Sequence, residues 1–275
     1  MTTAARSGEH ADAPSTIAVP RPPLATRART WLLWLALAAL LAWSWGPTEM
    51  HRLGALFTDW RNMAEFGAGF MRPNFRYVGV YAREMVETVQ MAAWGTALAV
   101  VIGIPFAILG SANVSPQWVV QPVRRLMDAF RAINEIVFAL FFVVAVGLGP
   151  PAGILALTVH NTGIIAKLFS EAVEAIDPRP VEGIRATGAG RLQEVIFGIV
   201  PQVMPLWSSF TLYRFETNVR SATVLGIVGA GGIGVSLYEN VRGFQYSETA
   251  TIVIIVVLTV MLIDLISARI RKVLV

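Results

Sequence analysis

Four polar residues close together in an apolar run pose the first chemical question of this sequence: Arg214, Glu216, Asn218 and Arg220. Ionisable groups within a membrane span are costly, and they face the bundle interior or a wet cavity. Two roles are open to them. They can hold helices together through Arg–Glu pairs, or an arginine can offer its planar fork to a phosphate-like anion, whose oxygens it matches two at a time. His160 and Asn161 lie midway along another apolar run, and Asn134 with Glu135 near the inner end of a third. Further along, Glu171 and Glu174 stand beside Lys167. The four-residue step from Lys167 to Glu171 predicts a salt-bridged helix end rather than an acid–base pair.

Other arrangements look chemical and are not. Gly229, Gly231 and Gly234 match G-x-G-x-x-G by spelling, with Gly232 between them. A dinucleotide site needs a strand before the glycines, a helix after them and an acid about 20 residues on. The apolar surroundings predict instead close packing of small residues between helices. The only lysines are Lys167 and Lys272, after Ala166 and Arg271, so no P-loop Gly-Lys-Ser/Thr exists and any ATP must be hydrolysed by another chain. There is no cysteine, and His10, His51 and His160 are too scattered for a metal cluster.

The elements that must carry these residues are membrane helices. Of 275 residues, 55% are hydrophobic and 15% charged, against about 25% charged in soluble domains. Several apolar runs reach the roughly 20 residues that cross a bilayer core. We expect an all-α integral membrane fold of about six transmembrane helices. Residues 1–30 read as a disordered cytoplasmic tail, 31–46 as a retained first span with Trp at both ends, and 47–83 as an extracytoplasmic segment. Further spans are expected at 86–110, 131–148, 151–173, 195–216 and 248–268. Residues 225–237, short and glycine-rich, are expected to be re-entrant and buried in protein. The Lys and Arg distribution favours both termini in the cytoplasm, with 269–275 as a second tail. The basic charge is thus that of a membrane protein, not of a nucleic-acid binder.

The loop at 177–193 stands apart. Pro178 and Pro180 are expected to break the incoming helix, and Glu182 to Ala189 to form a short helix stopped by Gly188 and Gly190. A charged helix lying across the inner face of a bundle suits a docking knob, and an ordinary linker is the plain alternative.

This loop is similar to the EAA motif of binding-protein-dependent ABC permeases. The motif's Glu falls on Glu182, its Gly on Gly188 and its closing Pro on Pro201. Gly183 and Ile184 replace the two alanines, Gly198 an Ile and Val200 a Leu. Glu87-Thr88-Val89-Gln90-Met91-Ala92, Gly95-Thr96, Gly147-Leu148-Gly149-Pro150, Lys167 to Ala172, Arg185-Ala186-Thr187-Gly188-Ala189 and Tyr213 through Gly234 resemble the phosphonate-transporter permease family, PhnE. The resemblance covers about residues 84–268 and implies a MetI-like type I importer fold. It implies no cofactor in this chain: ATP and magnesium are bound by a partner ATPase. The implied partners are a second copy of the permease, two ATP-binding cassette subunits, an extracytoplasmic phosphonate-binding protein and membrane lipid. The implied setting is a bacterial cell membrane. Glu182, Arg185, Ala186, Gly188 and Pro201 become the expected ATPase-coupling residues. Arg214, Glu216, Asn218, Arg220, His160 and Asn161 become the expected substrate path. A permease for another small substrate, an ion-coupled secondary transporter and a membrane enzyme are the competing readings. The secondary transporter would call for an internal repeat, and the enzyme for a nucleophile or histidine cluster, and neither is visible.

Overall fold

The computed structural model describes residues 24–274, and every element among them is helical. The chain divides into two units, residues 1–63 and 64–275. In the first, α1 (Leu24–Ser44) is followed by a 3-10 turn (Met50–Gly54), α2 (Ala55–Thr58) and the start of α3 (Trp60–Phe70). Helix α1 begins seven residues ahead of the expected Trp31, and its apolar part is Arg29–Ser44. The rest of the expected tail, residues 1–23, lies outside the described residues.

The second unit holds α4 (Val78–Gly110), α5 (Gln117–Ala132), α6 (Glu135–Val146), α7 (Pro150–Glu174), α8 (Pro178–Ala186) and α9 (Arg191–Gln193). A π-helical turn (Glu194–Ile199) then leads into α10 (Val200–Leu225), followed by α11 (Ile233–Arg242) and α12 (Tyr246–Leu274). Among the described residues, four helical stretches are long and apolar enough to cross a membrane: Phe75–Gly110, Pro150–Glu174, Arg191–Val228 and Tyr246–Lys272. Helices α5 and α6 form a fifth only if taken together, bent by 86°.

Two expectations change here. The span expected at about 131–148 is instead the short α6, preceded by a separate helix, α5, that the sequence reading did not include. Helix α5 carries Arg124, Arg125, Asp128 and Arg131, so its polar face hid its helicity. The fifth span runs on to Leu225 rather than ending at 216, because nothing in Glu216–Leu225 breaks a helix and the polar side chains find partners on its neighbours.

Helices α4 and α7 pack along most of their length and form the spine of the unit. One apolar cluster gathers Met85, Leu157, Val219, Leu225, Ile233 and Ile252; another gathers Ile165, Phe169, Val173, Val203 and Trp207. Small residues set the spacing. A Cβ on Gly163 would stand 2.6 Å from the Met127 carbonyl oxygen and 2.8 Å from the Arg131 nitrogen, so α5 rests its backbone directly on α7.

Candidate functional site

The elbow between α5 and α6 is the centre of the polar site. Asn134 caps α6, its side chain accepting from the Ile136 N–H at 2.9 Å, so the second helix starts afresh within an apolar run. Glu135 is the first residue of that helix, where a carboxylate complements the dipole. Its Oε1 accepts the Ser221 hydroxyl of α10 at 2.8 Å, and its Oε2 lies 3.5 Å from His160 Nε2 on α7. His160 Nδ1 is 2.8 Å from the Ile133 carbonyl oxygen and must donate to it, so the ring ties α7 to the elbow. One residue on, Asn161 accepts from Arg214 Nε at 3.0 Å and again from its terminal nitrogen. The Glu135 carboxylate lies within electrostatic reach of that guanidinium. Three helices and the elbow therefore converge on one polar group. Asn161 falls near the middle of α7, so the group sits at about half the height of the bundle. His160 and Glu135 keep 13% and 19% of their side-chain surface exposed.

The four residues expected to cluster on α10 do not do so. They point to different neighbours, as their spacing around a helix requires. Arg214 reaches Asn161 on α7, and Asn218 donates to Thr96 of α4 at 2.7 Å. Glu216, 8% exposed, takes the Arg271 guanidinium of α12, and Arg220 lies 3.7 Å from Asp264 of the same helix. Arg214 and Glu216 are thus not a pair. Helix α10 continues beyond them, to Leu225. Only Arg214, His160 and Asn161 of the expected path residues come together. Glu135 and Ser221 complete the group; neither was among the expected path residues. An N-cap followed by a carboxylate inside an apolar run was the available signal for Glu135. Nothing local marked Ser221.

The glycine segment behaves as packing. Gly229, Gly231 and Gly232 adopt φ of +82°, +86° and +71°, a region that favours glycine. This lets the turn tuck against α4, where Gly232 N–H donates to Glu87 at 3.0 Å and Ile233 N–H to Thr88 at 2.9 Å. A Cβ on Gly234 would collide with the Thr223 carbonyl oxygen. Most of the segment is buried or half-buried against α4, the α6–α7 turn and α10, while Ile227 stays exposed.

At the other end of α7, the short helix starts earlier than expected. Asp177 caps α8, accepting from Arg179 N–H at 3.0 Å, and Pro178 occupies its first position, where no N–H is needed. The incoming helix breaks as expected, α7 ending at Glu174, and Pro178 also opens the new helix. It ends at Ala186, with Gly188 at φ +85°. Arg185 makes two bonds to Glu194, at 2.9 and 2.8 Å, and that carboxylate holds its guanidinium above the ordinary range. Val181 and Ile184 face Gly198, where a Cβ would stand 3.2 Å from Val181 Cα. Glu182, Gly183 and Ala186 face outward. Pro201 lies at the start of α10, and a groove of about 450 Å³ opens beside Ile184, Gly188 and Phe197. The C-terminal end of α7 is also fastened: Lys167 pairs with Glu171 at 3.3 Å, and Glu174 binds Arg124 and the Ala112 N–H.

Comparison with known proteins gives three findings. The model of the family described as binding-protein-dependent transport system inner membrane component matches residues 99–275. The putative cryptic phosphonate transport system permease protein PhnE2 of Escherichia coli (strain K12) is 61% identical over 118 residues, 43% of this chain and 97% of that protein. The phosphite transport system permease protein PtxC of Stutzerimonas stutzeri is 38% identical over 212 residues, 77% of either chain. Among solved structures, an inward-facing MetNI methionine ABC transporter chain superposes with a TM-score of 0.66 at 25% identity, over 74% of this chain and 99% of its own.

Proposed function

The chain belongs to the family of binding-protein-dependent transport system inner membrane components, and on that premise we propose that it is the permease subunit of an ABC importer carrying phosphonate or a closely related phosphorus oxyanion into the cytoplasm. The observation that supports the substrate class is the likeness to permeases named for phosphonate and phosphite. The half-height polar group is consistent with that cargo, since Arg214 and Ser221 can both present hydrogen-bond donors to an oxyanion. In this reading two copies enclose the path between them. Each copy's α8 seats one ATP-binding cassette subunit, which holds the ATP and magnesium, and a separate extracytoplasmic protein captures the substrate. The α8 end faces the cytoplasm, as do both termini.

The test is reconstitution of the permease with its cassette and binding proteins in liposomes, followed by uptake of radiolabelled methylphosphonate and phosphite. ATP-dependent uptake of either anion is expected, with none when the binding protein is omitted. Uptake of a neutral or zwitterionic substrate such as methionine, with neither phosphorus anion carried, would overturn the substrate class.

A further inference from the structure

The path as read above leaves Glu135 unexplained, because a carboxylate is an unexpected lining for a route taken by anions. Its surroundings give the reason. Among the described residues, the neighbouring charges are already matched: Arg131 with Asp128 at 2.8 Å, Arg220 with Asp264, and Arg271 with Glu216. Arg214 makes no such pair; it is bonded to the neutral Asn161, next in the chain to the His160 ring on which Glu135 stands. Glu135 in turn occupies the Ser221 hydroxyl and stands against the His160 ring. It is an oxyanion with one charge, seated among the groups that would receive another oxyanion.

We propose that Glu135 is the resident counter-anion of the transport path: it occupies Ser221 and balances Arg214 while the path is empty, and is displaced when a phosphorus oxyanion arrives. The inference rests on the reading of Arg214 as part of that path. Two physical requirements favour the arrangement. An arginine in the membrane interior needs compensation when no substrate is present. A transport site must also bind its cargo weakly enough to release it, and competition from a built-in carboxylate lowers affinity without removing the donors. Glu135 sits on the first turn of a helix that starts at an elbow, so its side chain can withdraw without unwinding a continuous span. It thereby sets affinity and release rather than recognition.

The experiment uses the assembled permease–cassette complex, purified without its binding protein, and measures equilibrium binding of radiolabelled phosphite alongside uptake in the full system. Wild type should show no measurable phosphite binding. Glu135→Gln keeps the shape and a bond to Ser221 but removes the charge. It should bind phosphite detectably and lower both KM and turnover at least threefold, because cargo is held longer. The double variant Glu135→Gln/Arg214→Gln should lose the binding again. Glu135→Asp, whose carboxylate is drawn back by one methylene, should bind to a lesser degree and serves if the Gln variant fails to assemble. No binding in either variant, with wild-type KM and turnover, would overturn the proposal and leave the path reading standing. Normal uptake in Arg214→Gln would remove the path reading itself.

Discussion

Arg214 and Arg220 lie six residues apart on one helix, and the structure gives them unequal tasks. Arg214 is held by Asn161 inside the polar group, whereas Arg220 sits 3.7 Å from Asp264 with both side chains about half exposed. Exposed pairs of that kind contribute up to about 1 kcal/mol. Arg220→Gln should therefore leave assembly intact and change uptake less than about twofold, roughly 0.4 kcal/mol in barrier. Arg214→Gln should cut uptake about tenfold or more, the order set by a barrier change near 1.4 kcal/mol, with normal assembly and normal substrate affinity of the binding protein. Uptake and assembled complex measured on one preparation separate the two. Glu216 behaves differently again. It is buried against Arg271, and removing one partner of such a pair costs about 3–5 kcal/mol, so Glu216→Ala should show its loss in the thermal denaturation of the complex.

At the scale of elements, α8 is the part most exposed to experiment. Its cap is worth about 1 kcal/mol on removal of the side chain, so Asp177→Ala should fray its first turn. Gly188→Asp should do more. It puts a side chain at φ +85° and a carboxylate at the helix end that already carries partial negative charge. We expect ATP hydrolysis that no longer drives uptake, with the protein still inserted; wild-type uptake in this variant would count against docking at α8. The end of the short helix was legible because Gly188 is a local stop signal; its beginning at Asp177-Pro178 was missed, since prolines also read as breakers. Gly198 was legible only as a departure from the motif, although it is the surface on which Val181 and Ile184 rest. Helix α5 was not legible, since Arg124, Arg125, Asp128 and Arg131 spoke for a loop until α7 supplied a face to pack on. The polar group was half legible: His160, Asn161 and Arg214 are conspicuous in apolar runs. Their meeting with Glu135 and Ser221 depends on contacts 27 to 86 residues apart, which no local pattern encodes.

For the whole molecule, orientation is the property most directly checked. Because the chain has no cysteine, single Cys probes at Thr58 and Thr187 can be labelled with an impermeant maleimide in intact cells. We expect labelling at 58 and protection at 187, and the reverse would invert the topology. The runs that cross the membrane were readable from composition, since about 20 apolar residues have few other uses; the elbow was not, because the charged face of α5 reads as the end of a span rather than as a helix bent against it. That elbow also has a mechanical consequence. Helix α5, 16 residues long, makes a rod of about 24 Å. It bears on α7 at Gly163, through Met127 to Arg131, close to its elbow end. Its middle is fastened as well, by Arg124 to Glu174 of α7, so the rod is held at two points along its length and keeps the elbow, with Glu135, at a set distance from α7. Gly163→Ala would force these backbones apart and should weaken the link between ATP hydrolysis and uptake more than it weakens assembly.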